Sequence, residues 1–265
     1  MANEDFGAGI DRLNALIPDD LYTLVDSTSR AAIIGWGTLF NVVDYVRGLR
    51  ALHAADACSA ATPLLRAALE YTMCTIWLAD AGEEAVEVLN RGLASNHKLL
   101  RENLTAADLA RFPKEHVENF EAVAATDLGP HPDQTLLHFT HLLEAYGFTK
   151  WVPAYAIMSS TSHGTGSGAQ RFFSFTDEAV ALGQSVRFAE PLGPCEVWGF
   201  GLLFDTLIHY DLLLTGRPWT ADLKTIADDY EYPYRVVRRK PKASRSGRRS
   251  SRNRQSGSKH TKASP

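Results

Sequence analysis

The final segment, residues 235–265, holds 12 of the chain's 27 Lys and Arg residues and none of its 31 Asp and Glu residues. From Arg238 through Arg254 it offers no sizeable apolar side chain to bury, so ordering it alone would cost more entropy than burial returns. The folding must be done by residues 1–234, which keep 15 basic against 31 acidic side chains and so carry about −16 against about +12 in the tail. The sequence therefore divides into a helical bundle domain over 1–234 and a disordered basic tail over 235–265.

Within the first part the punctuation is helical. Asp19 and Asp20, after Pro18, open a long segment rich in apolar residues that runs through Ile33, Leu39 and Val43 to about Leu52, with Gly35 and Gly37 as points of a break, a kink or a close helix contact. Thr62-Pro63 reads as a helix start and Gly82 as its stop. Glu83 to Arg101 is amphipathic through Val86, Leu89, Leu93 and Leu100, Thr105 opens another helix, and Pro113 interrupts or restarts it. Helices follow over Pro132 to Tyr146, Pro153 to His163, Cys195 to about Leu214 and Ala221 to Tyr230, with a strand-like piece at Phe172 to Phe175. Period-2 alternation is otherwise scarce, so the fold class is mainly α, a multi-helix bundle.

Two stretches are apolar enough to suggest a membrane. Pro63 to Ala79 contains Arg66 and Glu70, and Cys195 to Leu214 contains Glu196, Asp205, His209 and Asp211. Each charge near a bilayer centre costs roughly 2.5–3.5 kcal/mol, so both read as core helices and no membrane partner is expected. Cys58, Cys74 and Cys195 are odd in number and far apart, which argues against a disulfide framework and suits a reducing cytoplasm. The N-terminal residues lack the apolar run of a secretory signal.

The chemistry-bearing residues fall into few groups. Arg66 and Glu70 are four apart on an otherwise apolar helix, a partly buried ion pair that either locks packing or lines a site. Tyr155, Ser159 and His163 recur at four-residue spacing, one polar stripe ending at a helix C-terminus where the dipole favours imidazolium. If these faces meet, they form a pocket for a small molecule or nucleotide. Arg66 would hold an anionic group, Tyr155 and Ser159 would donate hydrogen bonds, and His163 would serve as acid or base if chemistry occurs. His138, His141 and Glu144 recur at three-residue spacing but complete no metal motif, and no cofactor motif stands out. No nucleophile elbow or kinase set is present, which leans the reading away from an enzyme. In the tail, Arg238, Arg239, Lys240, Arg248 and Arg249 are the candidates for nonspecific nucleic-acid contact through phosphates, with no aromatic residue after Tyr234 to stack on bases.

Leu64-Leu65-Arg66-x-x-x-Glu70 with Trp77-Leu78 downstream, followed by Tyr155-x-x-x-Ser159-x-x-x-His163-Gly164, resembles a group of uncharacterised helical bacterial proteins, many from actinobacteria. The resemblance covers Thr62 to Gly164 and implies no established activity. More distantly the chain resembles the HEPN superfamily of helical nucleotide-binding proteins and ribonucleases, whose catalytic pattern is an Arg followed after four to six residues by His. That spacing occurs at Arg47/His53, Arg91/His97, Arg111/His116 and Arg254/His260. The first two carry Gly and the third Phe where HEPN catalysts place a polar residue, and the fourth lies in the tail. A ribonuclease or toxin-like hydrolase is thus the enzyme alternative, and an interaction protein acting through its tail is the third.

Overall fold

The computed structural model describes residues 5–17, 29–55, 57, 60–162, 173–175, 180–182 and 195–240. Three long helices form its centre, α2 (Arg30–Ala54), α3 (Ala61–Ala81) and α9 (Cys195–Asp211), each packed against the other two. The two stretches weighed as membrane spans are α3 and α9, and no described helix is long and apolar enough to cross a membrane.

Their apolar faces explain the packing. Leu39, Val42, Val43 and Val46 of α2, Leu65, Leu69, Met73 and Ile76 of α3, and Phe200, Leu203, Phe204 and Leu207 of α9 are all buried. Each such side chain contributes about 1.5–3 kcal/mol. Small residues let the backbones approach. Thr38 meets Thr75 at 2.7 Å and Thr206 donates to Thr72 at 3.0 Å, so the buried hydroxyls satisfy one another across both interfaces. A Cβ on Gly35 would stand 3.0 Å from Leu213 and 3.1 Å from Tyr210. Gly35 is thus a close-contact position inside a continuous helix rather than a break.

The described part of the long second segment begins at Ser29. Ser29 caps α2, its hydroxyl accepting from the Ala32 N–H at 3.2 Å, and residues 18–28 lie outside the described set. Gly82, at φ +55°, ends α3 and begins α4 (Glu83–Asn103) without a loop. The stripe read along α4 is only half buried: Val86 is covered, whereas Leu93 and Leu100 are about half exposed. Thr105 and Asp108 form a capping box at α5 (Ala106–Leu109), and Pro113 restarts the chain as α6 (Lys114–Ala124). Where one helix was expected over Pro132 to Tyr146 there is a 3₁₀ turn, Gln134–Leu137, then α7 (Phe139–Ala145), closed by Gly147 at φ +82°. A second 3₁₀ turn, Thr149–Trp151, leads into α8 (Val152–Ser162). The strand-like piece is β1 (Phe173–Phe175), paired antiparallel with β2 (Val180–Leu182).

Two features escaped the sequence reading. One is α1 (Phe6–Asn14), capped by Asp5 and anchored by Ile10 and Leu13, both fully buried. The other is the course of the chain just past residue 234. After α10 (Thr220–Asp229) the chain does not leave the body at residue 234; residues 236–240 lie along it as an extended strap. Val237 is buried, and its N–H donates to Nε2 of the fully buried His209 at 2.9 Å. Asp80 accepts from the Arg238 guanidinium at 3.1 Å and from the Arg239 N–H at 3.0 Å. Arg239 grips Asp133 through two bonds of 2.6 and 2.9 Å, and the Lys240 N–H reaches the Ala145 carbonyl at 2.9 Å. The basic residues that looked like the start of a tail are therefore partly spent on acidic residues of the body. Residues 241–265, including Arg248 and Arg249, lie outside the described residues.

Candidate functional site

The first three turns of α3 present Arg66 and Glu70 on the side away from Leu65, Ala68 and Leu69, which point into the core. Pro63 lies in the first turn, where a missing N–H breaks no intrahelical bond. Opposite lies α8, fixed by the fully buried Met158, with Tyr155 and Ser159 on its neighbouring face. The two faces meet. Arg66 Nε donates to Glu70 Oε1 at 3.1 Å, Arg66 Nη2 donates to the Tyr155 hydroxyl at 3.2 Å, and that hydroxyl donates to Glu70 Oε1 at 2.7 Å. The result is a closed triangle of one cation, one anion and one phenol, bridging residues 85 to 89 positions apart.

The triangle is packed as well as bonded. The Arg66 guanidinium carbon lies 5.3 Å from the Tyr155 ring centre, and the Phe139 ring lies 4.4 Å from that same ring. Burial raises the Tyr155 pKa, the bond to Glu70 raises it further, and Arg66 and Ser159 oppose both, so the phenol stays protonated as a fixed donor. For Arg66, burial pulls the pKa down, but its bonds to Tyr155 and Glu70 win and leave it raised. The Ser159 hydroxyl is buried and makes no hydrogen bond of normal geometry among the described residues, although it lies near enough to favour the Tyr155 phenolate electrostatically. His163, the remaining member of the stripe, lies outside the described residues.

The pair is less buried than an apolar helix suggests. Arg66 and Glu70 side chains are 26% and 37% exposed. Arg66→Ala should therefore destabilise the protein by about 1–2 kcal/mol rather than the 3–5 of a fully buried pair, because solvent rehydrates Glu70. Urea denaturation reads this directly.

Other candidate residues are committed elsewhere. Arg91 donates to the carbonyls of Glu87, Leu128 and Gly129, at 2.9, 2.9 and 3.3 Å, and holds the 128–129 loop against α4. It borders a polar cleft of about 490 Å³ with Ser95, Lys98, Thr126 and Gln134, while His97 stacks on Phe120 at 5.0 Å. Arg47 faces Asp44, and His116 lies 3.6 Å from Glu115. Arg47, Arg91, His97 and His116 thus each make a separate local contact. His138 and His141 meet edge-on at 5.6 Å, and no three metal-ligating groups come together among the described residues. Burial pushes the Cys74 thiol up to about 12, which keeps it protonated and unreactive. Of the tail candidates, Arg239 is only 22% exposed and is bound by Asp133, whereas Arg238 keeps half its surface beside Asp80.

The sequence missed the acceptors of the strap. Asp80, Asp133 and His209 gave no local signal, since their partners are 158, 106 and 28 residues away.

No curated protein and no solved structure matches the chain. Residues 33–180 match the model of a family of unknown function, DUF5677, a span that takes in Arg66, Glu70, Tyr155 and Ser159. Covering more than half of the sequence, that match makes the chain a member of the DUF5677 family.

Proposed function

We propose that the chain is a helical ligand-binding protein whose site is the Arg66–Glu70–Tyr155 triangle with Ser159, and whose ligand is a small anion-bearing molecule, nucleotides included. The observation that carries this reading is the convergence itself. Two helices distant in sequence set a guanidinium, a carboxylate and a phenol within 3.2 Å of one another at a part-exposed position, beside a buried hydroxyl. A structural ion pair needs only Arg66 and Glu70. The phenol that orients both, and the Phe139 ring that holds the phenol, make a preorganised donor–acceptor set of the kind that fixes a ligand's orientation. Arg66 supplies the charge for the anionic group, Ser159 a further donor, and Glu70 an acceptor for a ligand hydroxyl or amine.

Residues 241–265 add eight Lys and Arg and no acidic residue, a charge density suited to phosphates of a polyanion, with Arg248 and Arg249 among the contacts. A protonated Cys74 thiol suits a reducing compartment, which we propose to be the cytoplasm.

Thermal shift of the full chain with inorganic phosphate, pyrophosphate and the nucleoside mono- and triphosphates tests the site. Tyr155→Phe removes one hydroxyl and no packing, and should weaken binding of the stabilising probe about tenfold, the worth of one lost charge-assisted hydrogen bond. Ser159→Ala should weaken it similarly. Unchanged affinity in both variants, or no stabilisation by any of these anions, would overturn the assignment.

A further inference from the structure

We propose that His209 is the pin of a pH-dependent latch, which holds the 236–240 strap on the body while its imidazole is neutral and releases the strap when the ring is protonated. Hydrogen-bond valence fixes the protonation of the ring. His209 is fully buried in α9, and both ring nitrogens are engaged, Nδ1 at 2.7 Å from the Asp205 carbonyl and Nε2 at 2.9 Å from the Val237 N–H. A carbonyl can only accept and an N–H can only donate, so Nδ1 carries the proton and Nε2 is bare. Only this neutral tautomer satisfies both bonds. A second proton on Nε2 would set N–H against N–H and turn the strap's central attachment into a repulsion.

The charged and titratable groups around the ring come from three elements. Asp205 lies one turn back on α9, Asp80 faces the ring from α3, and Arg238 faces it from the strap. Tyr232 and Arg235 bear on Asp205, and Tyr146 and Arg239 bear on Asp80. Burial depresses the His209 pKa and Arg238 adds to this, while the Asp205 carbonyl and the Asp80 charge pull the other way. Burial pushes Asp205 up to about 7, so its negative charge fades as the pH falls and gives the imidazolium little support. A histidine with a depressed folded pKa contributes stability that is fully present above its ordinary value of 6.5 and is lost as pH falls through the folded value. The latch is therefore closed at neutral pH and opens below 6.5.

Opening has a chemical consequence. Arg238, Arg239 and Lys240 leave Asp80, Asp133 and the Ala145 carbonyl and rejoin the eight basic residues that follow. Acidification would thus lengthen the polycationic segment and bare two body carboxylates.

Hydrogen exchange of the full chain, corrected for the intrinsic pH dependence of exchange, tests this. The Val237, Arg239 and Lys240 amides should lose about tenfold or more of their protection between about pH 7.5 and pH 5 while α3 and α9 core amides keep theirs. His209→Gln can donate to Asp205 and accept from Val237 without titrating, and should make strap protection flat over that range. Equal wild-type protection at both pH values would overturn the latch, as would loss in His209→Gln at the same pH as in wild type, which would assign release to the carboxylates. Should that variant not fold, imidazole ¹⁵N shifts of the wild-type chain decide instead. His209 must be the Nδ1–H tautomer at neutral pH and titrate together with strap protection; strap loss while the ring is still neutral contradicts the proposal.

Discussion

Truncation after Arg235 should lower the melting temperature by roughly 6–12 °C, whereas truncation after Lys240 should leave it within about 2 °C of the full chain. The short form loses the burial of Val237, worth about 1.5–2 kcal/mol, and takes the strap's hydrogen bonds from three body groups, each loss costing about 1–3 kcal/mol. Those groups are Asp80 and Asp133, whose side chains are 15% and 13% exposed, and His209, which is fully buried. The chain entropy recovered by the missing residues offsets part of the loss and leaves a net deficit of about 3 kcal/mol. Differential scanning calorimetry of the two truncations beside the full chain separates strap from tail. Equal melting temperatures for both would show that the strap is a passenger.

Asp211→Ala should cost about 3–4 kcal/mol, the largest effect expected of a single polar substitution here. Asp211 is 1% exposed at the end of α9, and its carboxylate accepts from the Trp219 N–H at 2.9 Å and from the Thr220 hydroxyl at 2.6 Å. It satisfies the entry to α10 and sits favourably near that helix's N-terminal dipole. It also closes the 212–218 turn, in which Gly216 and Arg217 take φ values of +75° and +51°. Left-handed backbone at a non-glycine such as Arg217 costs about 1 kcal/mol and persists only where its surroundings impose it. Alanine removes that imposition and orphans a backbone N–H beside Trp219, itself 4% exposed. Asp211→Asn keeps an acceptor and should cost about 1 kcal/mol. Denaturant midpoints of the two variants should differ accordingly; equal midpoints would mean that charge alone matters at this position.

The helices that build the core were legible because their boundaries are written locally. Pro63 and Gly82 bracket α3, and the apolar run from Val197 to Phe204 marks α9 whatever its partners. Helix α1 was not legible. Gly7 and Gly9 lower its helical propensity, yet Gly9 is required, because a Cβ there would stand 2.8 Å from the Phe200 ring and 2.9 Å from Tyr230. Long-range packing dictates that residue, and no local rule contains it. The start of α2 at Ser29 was hidden behind stronger-looking acidic residues ten positions earlier.

The site was half legible. Four-residue spacing put Arg66 with Glu70 and Tyr155 with Ser159 on single faces, but the contact between those faces depends on how α8 packs on α3. Its exposure was misjudged, because an apolar helix context does not say how close a helix end lies to the surface. The strap was not legible for a plain physical reason. Its composition is that of a solvated tail, and one buried valine with three acidic or imidazole partners far upstream suffices to dock it.

The central claim is that Arg66 and Tyr155 form a ligand site rather than a structural brace. Arginine side-chain and backbone ¹H–¹⁵N spectra of the full chain, titrated with pyrophosphate and with a nucleoside monophosphate, test it most directly. A ligand site should give saturable shifts of the Arg66 Nε–H together with amides from Tyr155 to Ser159, both weakened in Tyr155→Phe. Saturable binding that shifts Lys98 and Thr126 at the polar cleft, or the basic residues beyond Lys240, and leaves Arg66 and α8 unmoved would contradict it.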